Sequence, residues 1–338
     1  MRRVRLSLAA TLAASLLLAA CGGGDEDAKE QEPEATKGTG ASAVLESTWP
    51  LTGLPVSGDE SASTDHPVFV VKIDNTSSSA PQVGLGKADM VVEELVEGGS
   101  TRLASFFYSK TPAVAGPVRS MRASDIGIVK PVDAQMVTSG AAGVTINRLK
   151  GAGVKFYGEG AKGFYRDSGR SAPYNLMVKL DELAGSVKVD EARPDDYLPW
   201  GEAKDLPKGQ PAASIAASFS GGHTTNWAFR GGKYHNVNTY AAKGDQFVAD
   251  TVLVLRVKVG DAGYRDPAGN PVPETKFVGK GQLMLFHNGR LVRGTWSKAK
   301  LDAPLKLSTK AGALKVPAGH TWLELVPNGS GGGVTFGK

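Results

Sequence analysis

Between residues 68 and 183, apolar runs of strand length at 68–73, 90–96, 103–108 and 135–139 alternate with short segments of helical period near 125–129, 144–149 and 180–184. That alternation predicts a mixed α/β module. Beyond residue 212 the helical period disappears. Short apolar runs at 252–259, 282–286, 291–296, 305–307 and 321–326 are separated by Gly, Asn and Pro turns, and Asn288-Gly289 carries the signal of a tight hairpin. The expected fold class is therefore α+β, a mixed α/β module at 44–195 followed by a mostly antiparallel β module at 212–327. A Pro-rich and charged linker at 196–211 joins them, and 328–338 reads as a flexible tail.

The most informative stretch is 88–108. Two β-compatible runs flank Gly98-Gly99, the composition of a two-residue turn whose central residues both need positive φ. Such a hairpin pairs 97 with 100, 95 with 102 and 93 with 104. Glu93, Leu95, Glu97, Ser100, Arg102 and Ala104 would share a polar face, with Met90, Val92, Glu94, Val96, Leu103 and Phe107 turned to the core. A slip of one residue exchanges the faces. A helix over 88–97 is the alternative, since Val91, Val92, Leu95 and Val96 also fit a 3.6 period. The choice bears on chemistry. On a strand Glu93 and Glu97 stand about 13 Å apart, beyond the roughly 5–9.5 Å of glycosidase carboxyl pairs, whereas a helix brings them to about 6 Å.

The first 43 residues add a location. Arg2, Arg3 and Arg5 precede an apolar run at 6–20, the charged and hydrophobic regions of an export signal, too short to span a bilayer comfortably. The run ends in Leu18-Ala19-Ala20-Cys21-Gly22, which resembles a lipobox, so 1–20 reads as a lipoprotein signal peptide and Cys21 as the lipidated residue that holds the chain to membrane lipid. The expected site is the outer face of the bacterial cytoplasmic membrane. Residues 21–43 are acidic, without large apolar side chains, and read as a disordered tether.

At 338 residues the chain is long enough for two globular units, and its composition excludes collagen, coiled coil and wholesale disorder. Cys21 is the single cysteine, so an internal disulfide, a CxxC pair and a cysteine zinc site are excluded, and lipidation leaves no thiol for catalysis. Residues 44–338 carry a net charge of +6, which favours anionic lipid or wall polymer at long range. No nucleic-acid-binding pattern, metal site or cofactor motif is expected. The GxGxxG match at 158–163 lacks the acidic residue that completes a dinucleotide site, and the SxxK match at 297–300 lacks its partners. His223 and His235 read as loop or surface histidines. Trp227, Phe229, Tyr234 and Tyr240 offer either a sugar-stacking platform or the packing of a small β module.

Downstream of the hairpin, Arg119 and Arg122 lie in a Gly-Pro loop before a candidate N-cap at Ser124, suited to clamping a carboxylate or phosphate. The alternative is that they neutralise Glu93, Glu97 or Asp74. Pro50-Leu51-Thr52-Gly53, Lys72-Ile73-Asp74-Asn75, Gly116-Pro117-Val118-Arg119-Ser120, Ala172-Pro173-Tyr174-Asn175-Leu176 and Pro317-Ala318-Gly319-His320-Thr321-Trp322 together resemble the YerB-like bacterial lipoproteins, a two-part family of unknown function (DUF3048). Departures are Val92 and Tyr174, where members commonly carry Tyr and His. The resemblance implies an envelope location and two modules, with no reaction to carry over.

The residues themselves point to an envelope factor that binds an anionic wall glycan, a peptide or a partner protein. Arg102, Arg119, Arg122 and Arg170 would hold the ligand, oriented by Asp74, Asn75, Glu93, Glu97 and Asn175. A wall-active hydrolase or transferase using Glu93, Glu97 or Asp125 as acid or base is the second reading, and a scaffold for a membrane complex the third.

Overall fold

A computed structural model describes residues 47–58, 60–329 and 331–338. The expected signal peptide, the expected lipidation site Cys21 and the expected acidic tether lie outside the described residues. Numbering strands of three or more residues, the first half contains β1 (Phe69–Asp74), β2 (Met90–Leu95), β3 (Thr101–Phe107), β4 (Gln135–Val137), β5 (Phe164–Arg166) and β6 (Leu176–Val178). Its helices are α1 (Asp125–Val129), α2 (Gly143–Gly151) and α3 (Leu180–Ser186). Then come β7 (Ser214–Ser218), β8 (Thr224–Arg230), β9 (Lys233–Asn236), β10 (Thr251–Arg265), β11 (Pro271–Lys276), β12 (Gly279–His287), β13 (Arg290–Lys298), β14 (Lys306–Thr309), β15 (Thr321–Pro327) and β16 (Gly333–Gly337).

The apolar runs read from the sequence fall on these strands, and the core of 88–97, Met90–Leu95, is strand rather than helix. Asn288 and Gly289, at φ 47° and 68°, make the expected turn between β12 and β13. The balance of the fold is more β-rich than an α+β division. Strand accounts for 42% of the structure and helix for 12%, and the first half is not a clear α/β module. Its helices are short, of five, nine and seven residues, so they cap and cover the sheet rather than form crossover layers.

One 13-stranded sheet runs through both halves, in the order Gly312–Ala313, β14, β13, β12, β10, β15, β2, β3, β1, β4, Phe156–Tyr157. The late strand β15 lies between β10 and β2 and is parallel to both. Strands β1 and β4 run the same way, with β3 antiparallel between β1 and β2. Both faces are covered, which is why β1, β3 and β15 are buried along their whole length. Val70, Val92, Phe106, Leu253 and Leu323 pack under α1, α2 and Tyr197 on one face. Val71, Val91, Leu103, Val254 and Trp322 pack on the other against α3 and a five-stranded sheet of Val248–Ala249, β9, β8, β7 and β16.

Several details differ from the sequence reading. Strand β16 pairs with β7 in the stretch expected to be a free tail. Within 196–211, Tyr197 and Leu198 are buried and Gln210–Pro211 adds to β13. Trp227 and Tyr234 are core residues, with Phe229 partly buried against them, so these three pack the small sheet; Tyr240 belongs to neither core. The β2–β3 register is shifted by one: Glu93 pairs with Leu103, Glu94 with Arg102 and Leu95 with Thr101. Five residues connect the strands, because Gly98 and Gly99 turn inside a 3-10 segment, Glu97–Gly99, closed by Val96 N–H donating to the Ser100 carbonyl at 2.9 Å. The faces therefore exchange. Glu93 shares its face with Thr101 and Leu103, and Glu94 shares the opposite one with Lys72 and Arg102.

Candidate functional site

Strands β1, β2 and β4 end at one edge of the sheet, the carboxyl edge where open parallel sheets place their ligands. Asp74 closes β1, Glu97 follows β2, Arg102 opens β3 at the same edge, and Ser139 follows β4. The loop carrying Arg119, Ser120 and Arg122 crosses this edge, tied down by Arg119 N–H to the Lys72 carbonyl at 2.7 Å and Ser139 N–H to the Arg119 carbonyl at 3.1 Å.

Glu97 receives two guanidiniums. Arg102 Nη2 lies 3.0 Å from Oε1, and Arg122 donates Nε to Oε2 at 2.9 Å and Nη2 to Oε1. Burial opposes the charge, but the Arg122 hydrogen bonds and both arginines hold the Glu97 carboxyl down at about 2. Arg122 Nη1 donates to the Met121 carbonyl at 2.8 Å and Arg102 Nη1 to that of Ser120 at 3.0 Å, and Arg102 Nε has no partner among the described residues. Arg119 pairs with Asp74 at 3.0 Å and stacks on Tyr174 at 5.0 Å. Arg170 and Asn175 are bonded to other partners than the Glu97 pair. Arg170 donates to the carbonyls of Ser79 and Pro81 at 3.1 and 2.6 Å, and Asn175 accepts from Arg166 at 2.7 Å.

Behind this rim, Lys72 donates to Glu94 at 2.8 Å and Asp125 at 2.9 Å, all three side chains fully buried. Burial disfavours the ammonium, but Asp125 and Glu94 raise Lys72 overall. Burial together with the Asp125 charge pushes Glu94 upward, toward the neutral acid. At the rim, two guanidiniums, Arg102 and Arg122, face the one Glu97 carboxylate.

Glu93 and Asn75 belong to a different cluster on the opposite sheet face. Glu93 is fully buried and accepts from Asn75 (3.0 Å), Thr101 (2.7 Å), His223 (2.9 Å), Thr225 (2.9 Å) and Trp322 (3.1 Å). Its strand partner is Glu324, also fully buried, which accepts from Trp227 at 2.8 Å and leaves Oε2 without a donor among the described residues. Burial and the Glu93 charge raise Glu324 well above the carboxylate range, and burial is overcome at Glu93 by His223, Thr101 and Thr225, which lower it. The proton-binding tendencies of the two neighbouring carboxyls are thus driven apart, Glu324 toward the acid and Glu93 toward the carboxylate. Burial works against a charged His223, but the Glu93 hydrogen bond raises it.

The sequence reading missed Glu324, Lys72 and the role of His223. The signal available was an ionisable residue alone inside a continuous apolar run, as Lys72 is in β1 and Glu324 in β15. Glu93 and Asp125 have no exposed side-chain surface, and Glu97 is neutralised by its arginines, so the three carboxyls considered for acid–base work present no free acid or base to an open cleft.

The open space at this edge is a pocket of about 340 Å³ lined by Arg122, Ser120, Ser139, Tyr264, Arg265 and one acid, Asp266, which accepts from Asn270 at 2.7 and 3.0 Å. Arg265 comes from the long β10–β11 hairpin, held over α2 by Arg148 with Glu274 at 2.7 Å and Tyr264 with Thr145 at 2.9 Å. Ala142 precedes α2, whose N-terminus has no side-chain cap and no acid in its first turn. Among the described residues no cluster of His, Cys, Asp and Glu could hold a metal, and no helix is long and apolar enough to cross a membrane.

Comparison with known proteins bears on the whole chain. Residues 51–193 match the N-terminal domain, and 215–323 the C-terminal domain, of a protein of unknown function, DUF3048. A Bacillus subtilis (strain 168) protein named "Putative lipoprotein YerB" is 25% identical over 302 residues, covering 86% of this chain and 89% of its own. The crystal structure of the YerB protein from Bacillus subtilis superposes with a TM-score of 0.70 at 19% identity, over 85% of this chain and 99% of that one.

Proposed function

The chain belongs to the DUF3048 family, the YerB-like proteins of unknown function, and from that premise we propose that it is a lipid-anchored protein of the outer face of the cytoplasmic membrane that binds an anionic group of the cell wall without chemical turnover. The supporting observation is the pocket at the carboxyl edge. Arg122, Arg265, two serine hydroxyls and the uncapped start of α2 converge there, each a donor or a partial positive charge suited to a carboxylate or phosphate, against the single acid Asp266, whose oxygens are taken up by Asn270. Three of the five N–H groups of Arg122 are committed to Glu97 and Met121, which fixes the guanidinium plane and leaves two for a ligand. The Lys72 cluster and Glu97 orient the arginine from behind.

Pulldown with purified cell-wall sacculi tests the reading. Arg265 is exposed and its guanidinium makes one bond, to the Gly269 carbonyl, so Arg265→Ala leaves the fold intact. It is expected to weaken sacculus binding about tenfold, the cost of one charge-assisted contact, and the binding should fall with salt. Unchanged binding by Arg265→Ala and Ser139→Ala together overturns the pocket. Release of soluble fragments replaces the binding reading with the enzymatic one.

A further inference from the structure

Between Glu274 and Glu324 the sequence carries nine lysines and arginines and a single acid, Asp302. The fold concentrates part of this charge at one end of the large sheet, far along the strand order from the carboxyl-edge pocket. Lys280 of β12, Ser297 of β13 and Lys306 of β14 are direct cross-strand neighbours. The two lysines therefore stand about 10 Å apart on one exposed face. Neither has an acidic partner among the described residues, whereas Asp302 is tied to Lys300 at 3.1 Å. Beside them is a hollow of about 680 Å³ floored by Val278, Ala299, Ala303 and Pro304. An adjoining hollow of about 490 Å³ shares Val278 and Ala299 and is bordered by Leu301, Lys300 and Lys130. Val278 and Leu301 are 38% and 40% exposed, among the few large apolar side chains left open.

We infer that this end of the sheet rests on an anionic lipid bilayer, with Lys280 and Lys306 at the headgroup phosphates and Val278 and Leu301 entering the boundary with the acyl chains. Charge complementarity selects an anionic surface. The exposed apolar pair between the lysines selects a bilayer over a dissolved polyanion, because only a bilayer offers hydrocarbon just beneath its phosphates. Given the lipid anchor at Cys21, which belongs to the functional proposal above, the 25 residues between Cys21 and Ser47 can reach no farther than about 90 Å, so the surface is never far from membrane. A lipid chain and a basic patch are the two signals that together make anchoring stable.

Vesicle sedimentation of residues 44–338, which contain both apolar cores and every numbered element, tests the inference without the anchor and independently of the wall pocket. The protein should sediment with phosphatidylcholine vesicles containing phosphatidylglycerol and not with phosphatidylcholine alone. Each lysine near such a surface strengthens binding about fivefold, so Lys280→Glu with Lys306→Glu should cost at least about 25-fold. Val278→Ser with Leu301→Ser should cost about tenfold. All four side chains are exposed, and an unchanged melting temperature verifies folding. Sedimentation without preference for the anionic lipid, or either double variant sedimenting like the unaltered protein, overturns the inference. Full competition by soluble polyphosphate, with the serine variant unimpaired, overturns it in favour of a dissolved polyanion.

Discussion

Glu93 and Glu324 are register partners on neighbouring parallel strands, and the two carboxyls respond to pH in opposite ways. Glu324 keeps its proton in the folded state at pH values where the unfolded chain has lost it, so the fold loses stability as pH rises above about 4.5. Glu324→Gln keeps an acceptor for Trp227 and cannot ionise. It should leave melting at pH 4 nearly unchanged and stabilise the protein at pH 8 by about 1–3 kcal/mol, the scale of one unsatisfied buried group. Glu93 is lowered, so its contribution is full above the unfolded value and is lost on acidification. Glu93→Gln should therefore destabilise at neutral pH by about 3 kcal/mol, as breaking a buried pair does. At the rim, Glu97 is held at about 2, and its contribution should fade as pH falls from about 4.5 toward that value. Lys72→Met strips the only cation from two buried carboxyls and should cost about 3–5 kcal/mol in denaturant unfolding.

The β2–β3 connection is the element on which the reading of the site turned. Gly99 has φ 74°, and a Cβ there would lie 3.0 Å from Ser220 Oγ, which donates to the Gly99 carbonyl at 2.6 Å. Gly98 has φ 70° and open space around it. Gly98→Ala should thus cost about 1 kcal/mol from backbone strain alone, and Gly99→Ala more, since it also displaces the β7–β8 loop; thermal melting separates the two. Strand and helix positions were legible because apolar period survives in every central segment, and Asn288-Gly289 named its own turn. The register at Gly98-Gly99 was not. Both faces of β2 are buried, so Met90, Val92 and Glu94 were no better core candidates than Val91, Glu93 and Leu95, and pattern could not choose between them. The convergence of Glu97, Arg102 and Arg122 was visible as a dense run of charge near a bend. The pairing of Glu93 with Glu324 was not, because 231 positions separate them and only the insertion of β15 beside β2 brings them together.

At the scale of the molecule, β15 joins the halves by hydrogen-bonding to β2 on one side and β10 on the other. Residues 44–195 expressed alone would leave β2 as an open apolar edge, and 212–338 would lose the strand that covers β15. Each fragment is expected to be insoluble or aggregated by size exclusion, and co-expression should recover a soluble complex. An independently folding pair would show instead that the sheet is a docking of two finished domains. The same insertion sets an order of events during synthesis. The ribosome delivers the strand for the middle of the sheet after all but one of the strands around it, so the emerging polypeptide cannot close its core until residue 327 or so has left the exit tunnel. Until then it stays pliable enough to be threaded, a useful state for any chain whose first residues look like a ticket out of the cell.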